Sequence, residues 1–196
     1  MPIMPLGERT FCRTAAWGVL ARRAVLPWAL SGQSLAGDVL EIGGGGGAMA
    51  LGMLERFPTA RVSVADLDPV MVRATAAHLA PFGERASASV ADATALPFDD
   101  DSFDAVVSYL MLHHIGAWET AVAEVVRVLR PGGRFLGYDL IDTAASRVLH
   151  HADGIHDMRS ISRATFVTTL AVAGVRDPVL RCGRLTMRWV ATKPSP

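Results

Sequence analysis

Cysteine is nearly missing from this chain. Cys12 and Cys182 are its only two, far apart and without metal-ligand spacing, which excludes a thiolate metal site and a dense disulfide framework. Free thiols in a reducing, cytoplasmic setting are expected. An excess of charge is missing as well: 19 Lys and Arg against 19 Asp and Glu leave a formal net charge of +0. No global field draws the chain to nucleic acid, and the expected partner is a small molecule. Long apolar runs are absent too. None approaches the ~18–20 residues a spanning helix needs, and arginines interrupt the N-terminal apolar stretch before it resembles a signal segment. With 196 residues there is room for one domain with a full core and not for two of ordinary size. The expectation is a single domain over 1–196, unprocessed.

Glycine, by contrast, is concentrated. Val39 to Ala48 contains five consecutive glycines, Gly43 to Gly47, directly after the apolar Asp38-Val-Leu-Glu-Ile42. Each costs about 0.5–1 kcal/mol relative to alanine, so such a run suggests a turn where backbone must approach a ligand closely. Ala48 to Arg56 has helical spacing, which places the glycines between a strand and a helix, where amide N–H groups and the helix dipole favour a ligand. Two readings compete. Gly43, Gly45 and Ala48 fit the dinucleotide pattern G-x-G-x-x-G/A, with Asp66 or Asp68 about 20 residues on. Glu41, Gly43, Gly45 and Gly47 fit acidic-x-G-x-G-x-G.

Downstream, strand and helix patterns alternate with short connections, as in a parallel sheet covered by helices. Strands are expected at 61–65, 86–90, 103–108 and 133–139. Helices are expected at 69–79, with Pro69 at its first position, at 119–129, ended by Arg130-Pro-Gly-Gly133, and near 143–150. A further helix should run from an N-cap at Ser162 to Ala173, followed by two β-runs, 176–180 and 185–192, as an antiparallel hairpin. A dehydrogenase needs a second lobe for its substrate, and the roughly 55 residues after the fifth strand leave little room for one.

This order, and five motifs within it, resembles the class I S-adenosylmethionine (SAM) dependent methyltransferases, in the broad group that includes the ubiquinone/menaquinone C-methyltransferases. The resemblance covers 38–139 as a SAM-binding core, with 1–30 as an N-terminal amphipathic segment and 140–196 as acceptor-side region and closing hairpin. It implies an α/β, Rossmann-like fold with a seven-stranded, mostly parallel sheet, helices on both faces and a C-terminal antiparallel hairpin. Glu41, Gly43, Gly45 and Gly47 resemble the family's motif I; Gly44 and Gly46 stand where bulkier residues are frequent, which predicts a looser loop. Val64-Ala-Asp-Leu-Asp-Pro-Val-Met71 is similar to the strand-two ending, where the acid, here Asp66 beside Leu67, accepts from both ribose hydroxyls. A carboxylate offers two acceptor oxygens to a vicinal diol. The competing role for this acidic pair is a helix N-cap, which suits Asp68 better.

Ala91 to Asp104 resembles G-D-A-x-x-L-P-F-x-D-x-S-F-D, in which Asp92 accepts from the adenine amino group and the Ala93 amide donates to the neighbouring ring nitrogen. Asp99, Asp100 and Asp101 invite a metal, but contiguous acids on a turn read as a solvated loop. Ser108 to Ile115 resembles a segment beside the sulfonium, and Glu124 to Gly133 a structural E-x-x-R-V-L-R-P-G-G signature. The resemblance implies SAM as cofactor, S-adenosyl-L-homocysteine as product, and methyl transfer to a small-molecule acceptor.

Methyl transfer is an in-line displacement, and an oxygen or acidic-carbon acceptor also needs a base. His113 and His114, just past strand four, are the catalytic candidates, with Tyr138 and Asp139 secondary. His150, His151 and His156 with Asp153 and Asp157 fit no standard metal spacing, so no metal is assigned. Segment 9–30 sets Arg13, Arg22 and Arg23 among Phe11, Trp17, Leu20 and Trp28, the pattern of a helix that covers the cofactor, with an acceptor lid or membrane-surface helix as alternatives. The family often carries tyrosines in this segment and none precedes Tyr109 here, so that contact to the SAM carboxylate does not transfer; an arginine such as Arg9 or Arg13 is the candidate in its place. The other functions left open are a SAM-binding regulatory protein without turnover and a lipid methyltransferase at a membrane surface.

Overall fold

Alternation of strand and helix builds a seven-stranded sheet. The computed structural model describes residues 10, 12, 14–143 and 161–195. Helix α1 (Ala15–Leu20) runs through a π-helical turn (Ala21–Val25) into α2 (Leu26–Leu30). Then follow β1 (Gly37–Ile42), α3 (Ala48–Arg56), β2 (Ala60–Asp66), α4 (Pro69–Leu79) and β3 (Ala86–Val90). The second half comprises β4 (Phe103–Tyr109), α5 (Trp118–Val128), β5 (Leu129–Leu140), α6 (Arg163–Val172), β6 (Val179–Cys182) and β7 (Thr186–Thr192). The strands lie in the order β3-β2-β1-β4-β5-β7-β6, parallel from β3 to β5 and antiparallel for β5–β7 and β7–β6.

Local chemistry explains the boundaries. Asp68 caps α4 by accepting from the Val70 amide at 2.9 Å, and Pro69, which lacks an N–H, takes the first position. Ser162 and Thr165 form a reciprocal capping box at the start of α6. The β5 boundary differs from the sequence expectation. Arg130-Pro-Gly-Gly133 lies inside the strand rather than before it, because the β4–β5 register shifts between Phe103 and Ala105. An added Cβ at Gly133 would sit 2.7 Å from the Arg130 carbonyl, so glycine suits this bulge. β6 starts later than expected, after Asp177 at φ +50° and Pro178, which offers no amide to a ladder. The helix expected at 143–150 lies outside the described residues beyond Thr143.

Alternation sends successive side chains to opposite faces of the sheet. Leu40, Val106, Phe135 and Trp189 pack with α5 and α6 on one side, whereas Val62, Val107, Leu136 and Tyr138 pack with α2 and α3 on the other. The order 3-2-1-4-5 reverses direction between β1 and β4. At such a switch point the connections leave on opposite faces and open a crevice beyond the carboxyl ends of the strands.

Candidate functional site

That crevice holds a cavity lined by the glycine loop, by Glu41, Asp66, Leu67 and Asp68, by Ala91 and Ala93, and across from them by Cys12, Trp17, Tyr109, Leu110, Met111, His114 and Tyr138. The loop is tied on several sides. Gly45 donates to Asp66 Oδ2 at 2.8 Å, Thr75 Oγ1 donates to the Gly45 carbonyl at 2.7 Å, and His78 Nδ1 reaches the Gly46 carbonyl at 2.8 Å. A Cβ added at Gly44 would lie 2.2 Å from Val64 Cγ1, and one at Gly43 2.0 Å from Met111 Cγ. The looser loop expected from Gly44 and Gly46 is therefore not what the fold builds: Gly44 is packed against β2, and two side chains of α4 hold the carbonyls. Gly47, at φ +79°, starts α3 and lies outside the cavity lining, close to Thr75.

Asp66, at the end of β2, accepts from the Gly45 amide on Oδ2 and from the Asp68 amide on Oδ1 at 2.9 Å. Burial pushes its carboxyl up, and these amides pull it back down. Two carboxylate oxygens have about four lone-pair sites, so each keeps capacity for a ligand hydroxyl. Glu41 is buried in β1 and pushed up to about 8, first by burial and then by the charge of Asp66, against a hydrogen bond from the Ala50 amide. Among the described residues its Oε2 has no hydrogen-bond partner. A buried acceptor left unpaired at a cavity costs about 1–3 kcal/mol, which a cationic donor would recover.

The next loop brings Ala91 and Ala93 to the cavity but turns Asp92 onto Thr94, whose amide and hydroxyl donate to Asp92 Oδ1 at 2.9 and 2.7 Å and hold its carboxyl low. Glu124 and Arg127 of α5 fasten that loop. Glu124 accepts from the Leu96 amide at 2.8 Å, and Arg127 donates to Leu96 O, Phe98 O and Asp100 as well as to Glu124. Asp100 thus pairs with Arg127, and Asp101 with Lys193, instead of forming a merely solvated turn. Replacing Arg127 with Ala should cost about 1–2 kcal/mol in chemical denaturation and speed hydrogen exchange selectively at 92–98, because two carbonyls lose their donor. A variant with wild-type exchange in that loop would remove this role.

His113 and His114 separate. Their 3₁₀ turn (Leu112–His114) advances ~120° per residue, so the two side chains leave the backbone in different directions and only one lines the cavity. His114 lines the cavity, whereas His113 is buried behind it and pairs through Nδ1 with the fully buried Asp139 of β5. Asp139 also accepts from the His113 amide at 3.3 Å and the Leu140 amide at 2.7 Å. The two imidazoles remain in contact, with centroids 4.0 Å apart and planes tilted by 38°. His113→Ala would leave a carboxylate buried without its ring partner, and about 3 kcal/mol of stability should disappear in urea titration. Ser108 is likewise fully buried, outside the cavity lining, with Oγ unpaired among the described residues.

Trp17 and Met111 reach the cavity from the two segments expected beside the cofactor, 9–30 and 108–115, whereas Cys12, just before α1, carries no sequence signal for the site. Leu110 holds φ +54°, a conformation that costs a bulky residue about 1–3 kcal/mol and is kept where the surroundings impose it, here by the Tyr138 carbonyl 2.8 Å from its amide. Arg9 and Arg13 and the 150–157 histidine group lie outside the described residues, and among the described residues no group of His, Cys, Asp and Glu could hold a metal.

A seven-stranded sheet with a closing antiparallel pair, and a glycine loop flanked by acids at its switch point, define an α/β architecture suited to a nucleoside cofactor. The methyltransferase domain family model matches residues 40–137. A ubiquinone/menaquinone biosynthesis C-methyltransferase from Paracoccus denitrificans is 40% identical over 103 residues, 50% of this chain and 40% of that protein. A malonyl-[acyl-carrier protein] O-methyltransferase from Halorhodospira halophila is 39% identical over 150 residues, 72% of this chain and 49% of that one. Among solved structures, a phosphoethanolamine N-methyltransferase from Haemonchus contortus, in complex with phosphomonomethylethanolamine and S-adenosylhomocysteine, superposes with a TM-score of 0.74 at 15% identity, over 89% of this chain and 52% of that one. That last likeness shows the fold alone. The chain belongs to the class I SAM-dependent methyltransferase family. It matches half or less of the length of these two curated relatives.

Proposed function

We propose that this chain binds SAM in the crevice and transfers its methyl group to a small-molecule acceptor. The observation that carries this reading is the pairing, across one glycine loop, of an unpartnered buried Glu41 Oε2 with the half-buried Asp66. The first suits an ammonium and the second a ribose diol, and a Cβ at Gly43 would be blocked by Met111, so the backbone cradle fits the cofactor. Ala93 would offer its amide to the adenine edge, with Asp92 beside it. When bound, SAM supplies an electrophilic methyl group.

The chain's own part is alignment in a largely apolar cavity walled by Trp17, Tyr109, Met111 and Tyr138, which excludes water from the reacting atoms. His114 is the side chain placed to take a proton from an acceptor. His113, held by Asp139, supports it through the tilted contact of the two rings. Incubation with methyl-labelled SAM and a panel of phenols, amines, quinols and carboxylic acids should give transfer to at least one class. With that acceptor, His114→Asn should lower kcat about 10²-fold with unchanged S-adenosylhomocysteine affinity if the acceptor needs deprotonation. Cofactor binding without transfer to any class would instead favour a regulatory SAM-binding protein.

A further inference from the structure

The zero net charge of the chain conceals an unequal distribution. From Thr10 to Gly37 there is no acidic residue, and from Val179 to Thr192 there is none either. These two stretches meet in space. Arg188 of β7 lies over the Trp28 ring, 4.5 Å from its centroid, and donates to the Trp28 carbonyl. Arg181 pairs with Arg188 across the β6–β7 ladder on the same face, and Val179 pairs with Val190.

The outward side of the N-terminal helix is apolar where a helix at a protein surface is normally polar. Val19 is 46% exposed, Leu20 51% and Trp28 41%, and Val179 on the adjoining strand 59%. Among these, Arg23 and Arg181 are exposed cations with no ion pair among the described residues, whereas Arg22 is paired with Glu55. One face therefore combines large apolar side chains, a tryptophan and unpaired guanidinium groups.

We propose that this face docks on an anionic lipid bilayer. Aliphatic side chains can enter the acyl boundary while arginines meet headgroup phosphates and Trp28 sits at the interface. Charge selects this occupant over two others. A second copy of the same face would set Arg23 and Arg181 against cations with no carboxylate in either stretch to pair them, and a nucleic acid would press its phosphates on Val19, Leu20 and Val179. Because Trp17 of the same helix lines the cavity, docking would set the cavity mouth beside lipid. The docking does not depend on what the cavity binds.

Vesicle co-sedimentation with the full chain tests it, using phosphatidylcholine vesicles with and without phosphatidylglycerol. Binding should require phosphatidylglycerol and fall with added salt. Both a Val19→Glu/Leu20→Glu and an Arg23→Glu/Arg181→Glu double variant should bind about tenfold or more weakly, with wild-type melting temperature and wild-type S-adenosylhomocysteine affinity. Failure to sediment with either vesicle would overturn the proposal. So would equal binding by both variants, a wild-type dimer that the variants convert to monomer, or tighter binding to a single-stranded RNA oligonucleotide than to the vesicles. Loss of cofactor binding with retained sedimentation would count against the cavity assignment and leave the docking face standing.

Discussion

Asp66→Ala should weaken S-adenosylhomocysteine binding by about 10- to 150-fold, since hydrogen bonds to a charged group contribute about 1.5–3 kcal/mol. Two effects add. The ribose would lose its acceptor, and the Gly45 amide, now 2.8 Å from Asp66 Oδ2, would lose the partner that orients the loop. Asp66→Asn separates them, because its amide keeps one acceptor oxygen and presents N–H groups to the other contact. Its affinity should fall between wild type and Ala. Calorimetric titration of the three proteins reads this directly, and equal affinities across the series would place the ribose elsewhere.

Glu41→Gln should reverse sign between stability and binding. Burial keeps Glu41 protonated in the folded chain up to about pH 8, whereas in an unfolded chain it ionises near ~4.3. Between those values the folded state binds more protons, so this group's contribution is complete below the lower pKa and is lost as pH rises toward the upper one. At about 1.4 kcal/mol per pH unit, the ligand-free protein should lose several kcal/mol from pH 5 to 8 through this side chain. Glutamine cannot ionise, so the variant should show no such decline and be the more stable protein at pH 8. Cofactor binding should move the other way. An ammonium beside Oε2 favours the carboxylate, so wild-type binding near pH 7 should release a proton, visible as a dependence of the calorimetric enthalpy on buffer ionisation. The Gln variant should bind about 10- to 100-fold more weakly without that release. Parallel pH–stability curves for the two proteins would contradict the buried neutral state.

Periodicity and caps carried much of the architecture. Ala48–Arg56, Pro69–Leu79 and Ala86–Val90 fall where their spacing, the flanking glycines and Pro69 predict. What stayed hidden is tertiary. Thr75 and His78 read as ordinary helix positions, yet they hold the glycine carbonyls, because only the fold brings α4 under the loop. Two adjacent histidines cannot be phased from sequence when a short 3₁₀ turn carries them. Nothing local marks Asp139 as the partner of His113, since that contact spans two strands. The bulge in β5 escaped because Pro-Gly-Gly usually ends an element, and here it is absorbed within one. Whole-chain charge likewise averaged away the arginine-lined face around Trp28.

The central claim is that the crevice between β1 and β4 is a SAM site. Calorimetric titration of the ligand-free protein with S-adenosylhomocysteine, and in parallel with NAD, tests it in one experiment. One-to-one binding of S-adenosylhomocysteine in the micromolar range, weakened at least about tenfold in Asp66→Ala and with no heat from NAD, is the expected result. Tight NAD binding with no response to S-adenosylhomocysteine would contradict it.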